Sequence, residues 1–323
     1  MAAVLVFLAF RGMDIKKIFQ NILHANIFWV IISALLSTIA FVVRAHRWNI
    51  LIEPLGFSPR LKNTTNAVLI GYLANLGLPR LGEISRCGAL NRSDNIPINK
   101  LLGTVIVERI VDVLSLIICI LITSAIEYKR LGNFFVENIF SPLNKKVNTL
   151  ISSPLLMLLL IIVILAFIVF LFYFRRKKEA GTDTIISRII KGFADGLKTI
   201  SILKRPVAFI FHSILIWFLY YLGVYVALFA FPFTHDLGAG ASLFLLVAGG
   251  IGMSAPVQGG IGAYHLLVSQ GLILYGLSKE EGLTFATMLH SLQILLIILF
   301  GTIALILLLT GSKKVITNKD IAK

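Results

Sequence analysis

Long apolar segments alternate with short polar stretches along the chain, and several are long enough to be membrane-spanning helices. A helix crosses a bilayer with about 20 mostly apolar residues. Segments of this kind occupy residues 27–43 (extending to 52), 101–125, 155–174, 207–231 and 283–309. Together with shorter apolar segments, the pattern predicts an all-α polytopic membrane protein with about six to eight membrane helices.

Two further apolar segments are interrupted by glycine and proline, which do not fit a uniform helix. Residues 67–78 are too few to cross a bilayer and lead into the polar stretch 75–86. Residues 243–274 contain the glycine-rich stretch 249–265, so two short helices are expected to meet at residues 256–260. Irregular backbone is stable at membrane depth only when it is buried in protein or lines a wet cavity. We therefore predict two broken or re-entrant elements that line a polar site; close helix packing is an alternative role for the glycines.

Each broken element lies between two spanning segments, which is the order expected of an inverted repeat. Transporters of that kind bind substrate where the broken segments meet near the midplane. The prediction is a single integral membrane domain over residues 1–323. Its parts are a partial first helix plus an interfacial helix (1–26), a first half (27–174), a basic cytoplasmic connection (175–206), a second half (207–310) and a cytoplasmic tail (311–323).

The first 26 residues do not contain a full span. Residues 1–10 are apolar but short, and are interpreted as the end of a first helix. Residues 11–26 are amphipathic, a pattern typical of helices that lie in the membrane interface. The apolar face holds Ile15, Ile18, Phe19 and Ile22, and the opposite face holds Lys16, Lys17 and Gln20.

Composition supports the membrane assignment. The 323 residues are 58% hydrophobic and 14% charged, against about 25% charged residues in ordinary soluble domains, and the mean hydropathy is +0.92. The net charge of +15 would indicate nucleic acid in a soluble protein, but here cytoplasmic loops and anionic lipid headgroups explain it. No nucleic-acid partner is predicted. Basic residues after residue 174 and at Lys313 and Lys314 predict a cytoplasmic C-terminus in the cell membrane.

Three ionisable residues lie inside the predicted span 101–125. Glu108 and Asp112 are one helical turn apart, and Arg109 can pair with Asp112 at i,i+3. Ionisable groups at such depth usually face the protein interior and mark function. Two interpretations stay open and are compatible: an ion pair between Glu108 and an arginine of the stretch 75–86, or a ligand site. We expect Arg80 and Arg86 to face one polar cavity together with Glu108 and Asp112.

Arg44 and Arg47 end the first span beside Trp48. They are interpreted either as a positive-inside anchor at the interface or as a clamp for a lipid headgroup.

Motifs for metals, nucleotides and redox cofactors are not found. Cys87 and Cys119 have no metal-ligand spacing. The glycine-rich stretch follows no strand, so it is not a dinucleotide fingerprint, and no Gly-x-x-x-x-Gly-Lys-Ser/Thr motif occurs. We therefore predict no cofactor and no metal, and any transport would use a gradient or be passive.

Four motifs in this order resemble a known family: Arg44-x-x-Arg47-Trp48, Asn75-x-x-x-Pro79-Arg80-x-Gly82-Glu83-x-x-Arg86, Glu108-Arg109-x-x-Asp112 and Pro256-x-x-Gly259-Gly260-x-Gly262. The chain is similar to the flippase-like membrane domain of lysylphosphatidylglycerol synthases and of stand-alone uncharacterised inner-membrane proteins, from about residue 27 onward. The resemblance implies a polytopic helical fold and translocation of a lipid or lipid-linked substrate. Only a short tail follows residue 309, so the activity of the soluble synthase domain is not carried over. The family would also have a further full helix at the N-terminus.

The leading hypothesis is a translocase for an anionic lipid headgroup, whose partner is a membrane phospholipid or lipid-linked substrate; a homo-oligomer is compatible with it. Arginines can hold phosphate by bidentate, charge-assisted bonds, carboxylates can position them or carry protons, and glycines let a headgroup approach the backbone. The alternatives are an intramembrane enzyme acting on a lipid phosphate or transferring a glycosyl group, with Glu83 and His265 among its acid–base groups, and an accessory scaffold. The predicted substrate-binding residues are Arg44, Arg47, Asn75, Arg80, Glu83, Arg86, Glu108, Arg109, Asp112, Gln258, Gly259, Gly260 and His265.

Overall fold

The computed structural model of the protein describes residues 2–130 and 203–311, and all regular secondary structure in these residues is helical. The helices are α1 (Ala2–Phe10), α2 (Ile15–Leu23), α3 (Ile27–Ile52), α4 (Leu61–Gly77), α5 (Leu81–Asp94), α6 (Ile98–Ile126), α7 (Pro206–Leu228), α8 (Ala239–Ser254), α9 (Ala263–Ile273) and α10 (Lys279–Thr310). Residues 2–123 and 203–311 belong to one compact unit, and residues 124–130 belong to a second.

Among the described helices, three are long and apolar enough to cross a membrane: Ile27–Leu55, Pro206–Leu228 and Lys279–Thr310. Their outward faces expose large apolar side chains such as Ile31, Ile214 and Leu295, as a surface in contact with lipid requires. The protein is therefore an all-helical membrane protein, as the hydropathy pattern predicts. Helix α6 is also continuous over 29 residues. The predicted span at residues 155–174 and the basic connection up to residue 202 lie outside the described residues.

The predicted order of elements is confirmed in both halves. A long helix (α3), two short helices (α4 and α5) and a long helix (α6) come first, and α7, α8, α9 and α10 repeat the order. Each half has largely its own apolar core, one built around Trp48, Leu90 and Leu101 and the other around Leu245 and Phe285. Orientation in the membrane and the inverted relation of the halves stay predictions.

Helices α4 and α5 form an antiparallel hairpin. Asn63 donates from Nδ2 to Asp94 at the open end, 3.1 Å away, and Asn75 Oδ1 accepts from the Gly82 amide near the turn, 2.7 Å away. The polar residues 54–65 and 91–97 predict loops in the sequence, and both boundaries are wrong. Helix α4 begins at Leu61, and α5 continues to Asp94. Polar residues there are helical because tertiary contacts such as the one between Asn63 and Asp94 stabilise them.

Helices α8 and α9 form the second hairpin, which breaks at residues 255–262 as predicted. The pair packs closely because glycines face the partner: a Cβ at Gly252 would lie 2.7 Å from the Tyr264 Cα. The turn holds Gly259, Gly260 and Gly262 at φ values of 54°, 74° and 85°, where a Cβ would be strained. Close packing and loop geometry therefore both account for the glycine-rich sequence.

The N-terminal helices cover the second half. Helix α1 packs on α9, where Leu5 lies against Gly262. Helix α2 is amphipathic as predicted, buries Ile18 and exposes Ile15 and Phe19. Its Lys17 binds Glu280 of α10 at 2.9 Å, and this carboxylate raises the pKa of Lys17. The location of α2 in the membrane interface stays a prediction.

Candidate functional site

A cluster of buried charges surrounds the first carboxylate of α6. The Glu108 side chain is fully buried. Its Oε1 lies 2.7 Å from Arg44 Nη2 and 3.3 Å from Arg47 Nη2, and its Oε2 lies 3.0 Å from Arg86 Nη1. The expected ion pair between Glu108 and an arginine of the stretch 75–86 is therefore confirmed, with Arg86 as the partner.

Asp112, one turn further along α6, completes the cluster. Its Oδ2 lies 2.6 Å from Arg44 Nη2 and its Oδ1 lies 2.7 Å from Arg47 Nη2. Arg44 and Arg47 are one turn apart on α3, so two residues of each helix meet face to face. Neither arginine is a free anchor at the interface, since both are buried and paired.

Neighbouring polar and aromatic groups support the buried guanidiniums. Arg86 lies over the Trp48 ring at 4.7 Å, a favourable cation–π distance. Trp48 in turn donates from Nε1 to Thr104 Oγ1 at 2.8 Å, which fixes the ring. These contacts reduce the free-energy cost of burying a charge away from water.

Arg109 does not pair with Asp112, so that prediction is wrong. Its Nη2 lies 2.9 Å from Glu83 Oε1 of α5. Asp112 is already held by two guanidiniums of α3, and Glu83 is the carboxylate that the first hairpin brings to Arg109. The pair is 44% and 27% exposed, unlike the buried cluster.

A cavity of about 630 Å³ lies where the two hairpin turns meet. The turns are in contact: a Cβ at Gly259 would lie 2.7 Å from Leu76 Cδ2. The predicted approach of the two broken elements is thus confirmed, while their depth in the membrane stays a prediction. The predicted site residues that line this cavity are Arg44, Asn75, Arg80, Glu83, Arg109, Gly259 and Gly260.

Arg80 lies at the rim of the cavity in an unusual backbone conformation. Its φ is 65°, the left-handed region, directly before the first residue of α5. A non-glycine residue there is held by its surroundings at a cost of about 1–2 kcal/mol. Within residues 2–130 and 203–311 its guanidinium has no ion pair, and it is exposed. The prediction that these four charged residues face one cavity is therefore only partly correct. Arg80 lines the cavity together with Arg44, whereas Arg86, Glu108 and Asp112 do not.

Asn75 and Gly82 have a structural role at the same turn. The Asn75 carboxamide accepts the amide hydrogen of Gly82, a free donor in the first turn of α5, and so caps this helix. Gly82 allows the approach because a Cβ would lie 2.5 Å from Asn75 Nδ2. Asn75 still lines the cavity.

The second half supplies an uncharged wall that the sequence analysis missed. It contains His290 and Gln293 of α10, together with Tyr264, Trp217 and Tyr220. His290 is 1% exposed, binds the Gly259 carbonyl oxygen through Nε2 at 2.8 Å, and stacks on Tyr264 at 4.8 Å. The sequence feature that could have identified His290 is its position inside the apolar segment 283–309, because ionisable groups in membrane spans usually have a function.

Other predicted residues lie away from the cavity lining. His265 is buried, and its Nδ1 accepts from the Gly262 amide at 3.4 Å. Gln258 is half-buried within the second hairpin turn. The predicted residues outside the lining are Arg47, Arg86, Glu108, Asp112, Gln258 and His265. In the described ranges, no three His, Cys, Asp or Glu side chains are grouped as a metal site would require.

Comparison with known proteins gives a family and a partial relative. Residues 1–301 match the sequence model of the family described as "Lysylphosphatidylglycerol synthase TM region". The UPF0104 membrane protein MJ1595 of Methanocaldococcus jannaschii is 32% identical over 112 residues, which is 34% of this chain and 33% of that protein. The matched part is thus a third of the relative's length. No solved structure matches.

Proposed function

The chain belongs to the family of the lysylphosphatidylglycerol synthase TM region, and from this membership and the cavity we propose that it translocates a lipid with an anionic headgroup across the membrane. The observation that carries the proposal is Arg80, a guanidinium without an ion pair among the described residues, at a cavity lined by both hairpin turns.

The position of Arg80 suits a phosphate group. It directly precedes α5, and the N-terminus of a helix carries a partial positive charge. A guanidinium adds planar, charge-assisted hydrogen bonds to phosphate oxygens. Because it has no ion pair among the described residues, this guanidinium is available to an anionic ligand.

The charges behind Arg80 favour an anion as well. Five guanidiniums (Arg44, Arg47, Arg80, Arg86 and Arg109) face three carboxylates (Glu83, Glu108 and Asp112), which leaves a net charge of +2 when all are ionised. Partly buried charges are weakly screened by salt. The first-half wall of the cavity therefore attracts a phosphate and repels a cation.

The location of the cavity is suited to transport. It lies between two hairpins made of helices of 17, 14, 16 and 11 residues, each shorter than the roughly 20 residues of a full span. Transporters with broken helices bind their substrate between such elements. A headgroup bound there would be enclosed by protein from both halves.

The test is translocation of fluorescent phosphatidylglycerol in reconstituted vesicles, followed by quenching with an impermeant reductant. Arg80→Gly removes the guanidinium and keeps the left-handed backbone without strain, so strain does not obscure the result. We expect the initial rate to fall about tenfold or more, since a charged hydrogen bond contributes about 1.5–3 kcal/mol. Arg80→Lys should restore part of the rate, because an ammonium lacks the bidentate fork.

The matched control is Arg92→Ala, which removes an exposed arginine from the far end of the same helix α5. It should translocate lipid at the unchanged rate. Equal rates for Arg80→Gly and the unsubstituted protein would refute the proposed role of the cavity.

A further inference from the structure

The cavity between the hairpin turns reaches the protein surface on one side. Its lining residues on α3, α4, α7 and α10 are all buried or half-buried, whereas the exposed ones lie on α6, at the end of α8 and on the two turns. Val113 of α6 is 44% exposed and Met253 of α8 is 42% exposed, and both line the cavity. The cavity therefore opens to the surface where α6 faces the end of α8.

Helices α6 and α8 are in contact beside this opening. Gly250 of α8 lies against α6, since a Cβ there would be 3.2 Å from Leu116 Cδ1. Three residues further along each helix, in opposite directions, Val113 and Met253 are exposed and the cavity is open. Arg109, one turn before Val113, is exposed at the same opening. We refer to this opening, bounded by Arg109, Val113 and Met253, as the portal.

The outer surface next to the portal is apolar. Ile106, Val113 and Ile117 of α6 are 62%, 44% and 45% exposed, and their spacing of seven and four residues places them on one face of the helix. Exposed apolar surface of this kind in a membrane protein is in contact with hydrocarbon. Val113 belongs both to this face and to the cavity lining, so the portal connects the charged cavity directly with the lipid.

A lipid whose headgroup occupies the cavity must keep its acyl chains elsewhere. The cavity volume of about 630 Å³ is that of a pocket for one drug-sized molecule, about 300–1,000 Å³, and the arginines of its wall offer no apolar surface to two long chains. Moving methylene groups from hydrocarbon into a wet, charged cavity is unfavourable in proportion to their area. The chains therefore stay in contact with the bilayer, and the cavity needs an opening on its lipid side.

We infer that the portal between α6 and α8 is the route by which the lipid enters laterally from the bilayer, and that its acyl chains lie on the apolar face of α6 formed by Ile106, Val113 and Ile117. The inference rests on the proposed translocase function and adds the route and the surface for the chains. Arg80 and Arg109 are exposed members of the cavity lining, and they suit the phosphate that joins the headgroup to the chains. Cations and apolar face thus match two adjoining parts of one lipid.

The first experiment fills the portal with a large side chain. In Val113→Trp and in Met253→Trp, we expect the initial rate of phosphatidylglycerol translocation in reconstituted vesicles to fall about tenfold or more, a rise of about 1.4 kcal/mol in the barrier. Val113→Ala widens the portal and should keep or raise the rate. The control is Ile118→Trp: Ile118 is 55% exposed, lies outside the cavity lining, and is turned about 140° from Val113 around α6. Its rate should be unchanged.

The second experiment locates the acyl chains in the unsubstituted protein. Phosphatidylglycerol with a diazirine on one acyl chain is added as a trace component to phosphatidylcholine vesicles, and the photoadducts are mapped by mass spectrometry. We expect adducts on the face of Ile106, Val113 and Ile117 to be enriched over those at Ile214, a 64% exposed residue of α7 that reports ordinary contact with lipid. In Arg80→Gly the headgroup is held less tightly, so this enrichment should be lost while adducts at Ile214 remain.

The outcomes separate this inference from the proposed function. Unchanged rates in both portal variants, or a rate as low in Val113→Ala as in Val113→Trp, would overturn the inference and leave the translocase standing. Adducts no more frequent on the α6 face than at Ile214 would overturn it as well. Because the adducts are mapped in the unsubstituted protein, this result decides the matter even if a tryptophan variant fails to fold. If the unsubstituted protein translocated no phosphatidylglycerol, the proposed function would be refuted and the inference with it.

Discussion

Glu108 neutralises the positive charge of neighbouring arginines at a position that solvent does not reach. Its two oxygens are within 3.3 Å of three guanidiniums, yet they lack the directional geometry of hydrogen bonds, so their attraction is mainly that of opposite charges. Arg44 and Arg47 also contact Asp112, whereas Glu108 is the one carboxylate that Arg86 contacts in the described residues. The buried cluster therefore positions Arg44, the member that lines the cavity.

Because Arg86 contacts no other carboxylate in the described residues, we predict that Glu108→Gln destabilises the protein. Arg86 would keep a buried positive charge without a carboxylate partner, and breaking one side of a buried ion pair costs about 3–5 kcal/mol. Thermal unfolding in detergent should show a clearly lower Tm. The control Glu53→Gln removes the ion pair between Glu53, which is 26% exposed, and Arg205, which is 53% exposed. It should lower the free energy of unfolding by less than about 1 kcal/mol. Equal melting temperatures for the two variants would show that Glu108 has no stabilising role.

At the level of elements, the two hairpins are built by the same means. Short helices pack closely where a glycine of one faces the backbone of the other, as Gly82 faces Gly71 and Gly252 faces Tyr264. Glycine replaces a larger residue at these contacts because the close approach of the two helices brings the hairpin turn to the cavity. The turn residue at the cavity is Arg80 in the first hairpin and Gly259 in the second. Glycine inside a helix otherwise lowers stability by about 0.5–1 kcal/mol relative to alanine.

Two glycines of α5 provide a matched test of this packing. A Cβ at Gly82 would collide with the Gly71 carbonyl oxygen and the Asn75 carboxamide, whereas a Cβ at Gly88 meets no atom within 4 Å. Gly82→Ala should lower the Tm and the translocation rate together, because it forces α4 and α5 apart. Gly88→Ala should leave the rate unchanged and keep or slightly raise the Tm. The opposite ranking of the two variants would show that the hairpin does not depend on this contact.

At the level of the whole molecule, each half contributes a long helix, a hairpin and a second long helix, and the hairpin turns meet at one cavity. The chemistry of the two walls differs: the arginines all come from the first half, and the uncharged polar and aromatic groups come mainly from the second. A ligand that binds both walls would make different contacts if the halves moved, which is the physical requirement for coupling binding to a conformational change.

The orientation of the molecule is predicted from its basic segments. Lys178 follows the apolar segment 155–174, and Lys314 follows α10; both lie outside the described residues and both belong to Lys/Arg-rich stretches. The positive-inside rule predicts that both are cytoplasmic. After removal of the free Cys87 and Cys119, a cysteine at either position should resist an impermeant thiol reagent in intact cells and react after permeabilisation. Labelling in intact cells would reverse the proposed orientation.

The sequence by itself determined the helical membrane fold, the order of elements and the positions of both hairpin turns. These features are local: hydropathy over about 20 residues decides whether a helix can cross a bilayer, and glycine and proline interrupt a helix where they stand. The amphipathic pattern of α2 is local in the same sense. Boundaries such as the start of α4 at Leu61 were missed, because contacts with residues far along the chain decide whether polar residues join a helix.

Tertiary structure alone decided which charges pair and which atoms face the cavity. Arg44 and Asp112 are 68 residues apart, and their contact depends on how α3 and α6 are rotated and placed, which no periodicity encodes. For the same reason Arg109 binds Glu83 rather than Asp112, three residues along its own helix. His290 was overlooked as one polar residue in an apolar span. It could be placed in the cavity lining, beside the Gly259 carbonyl, only once the fold was known.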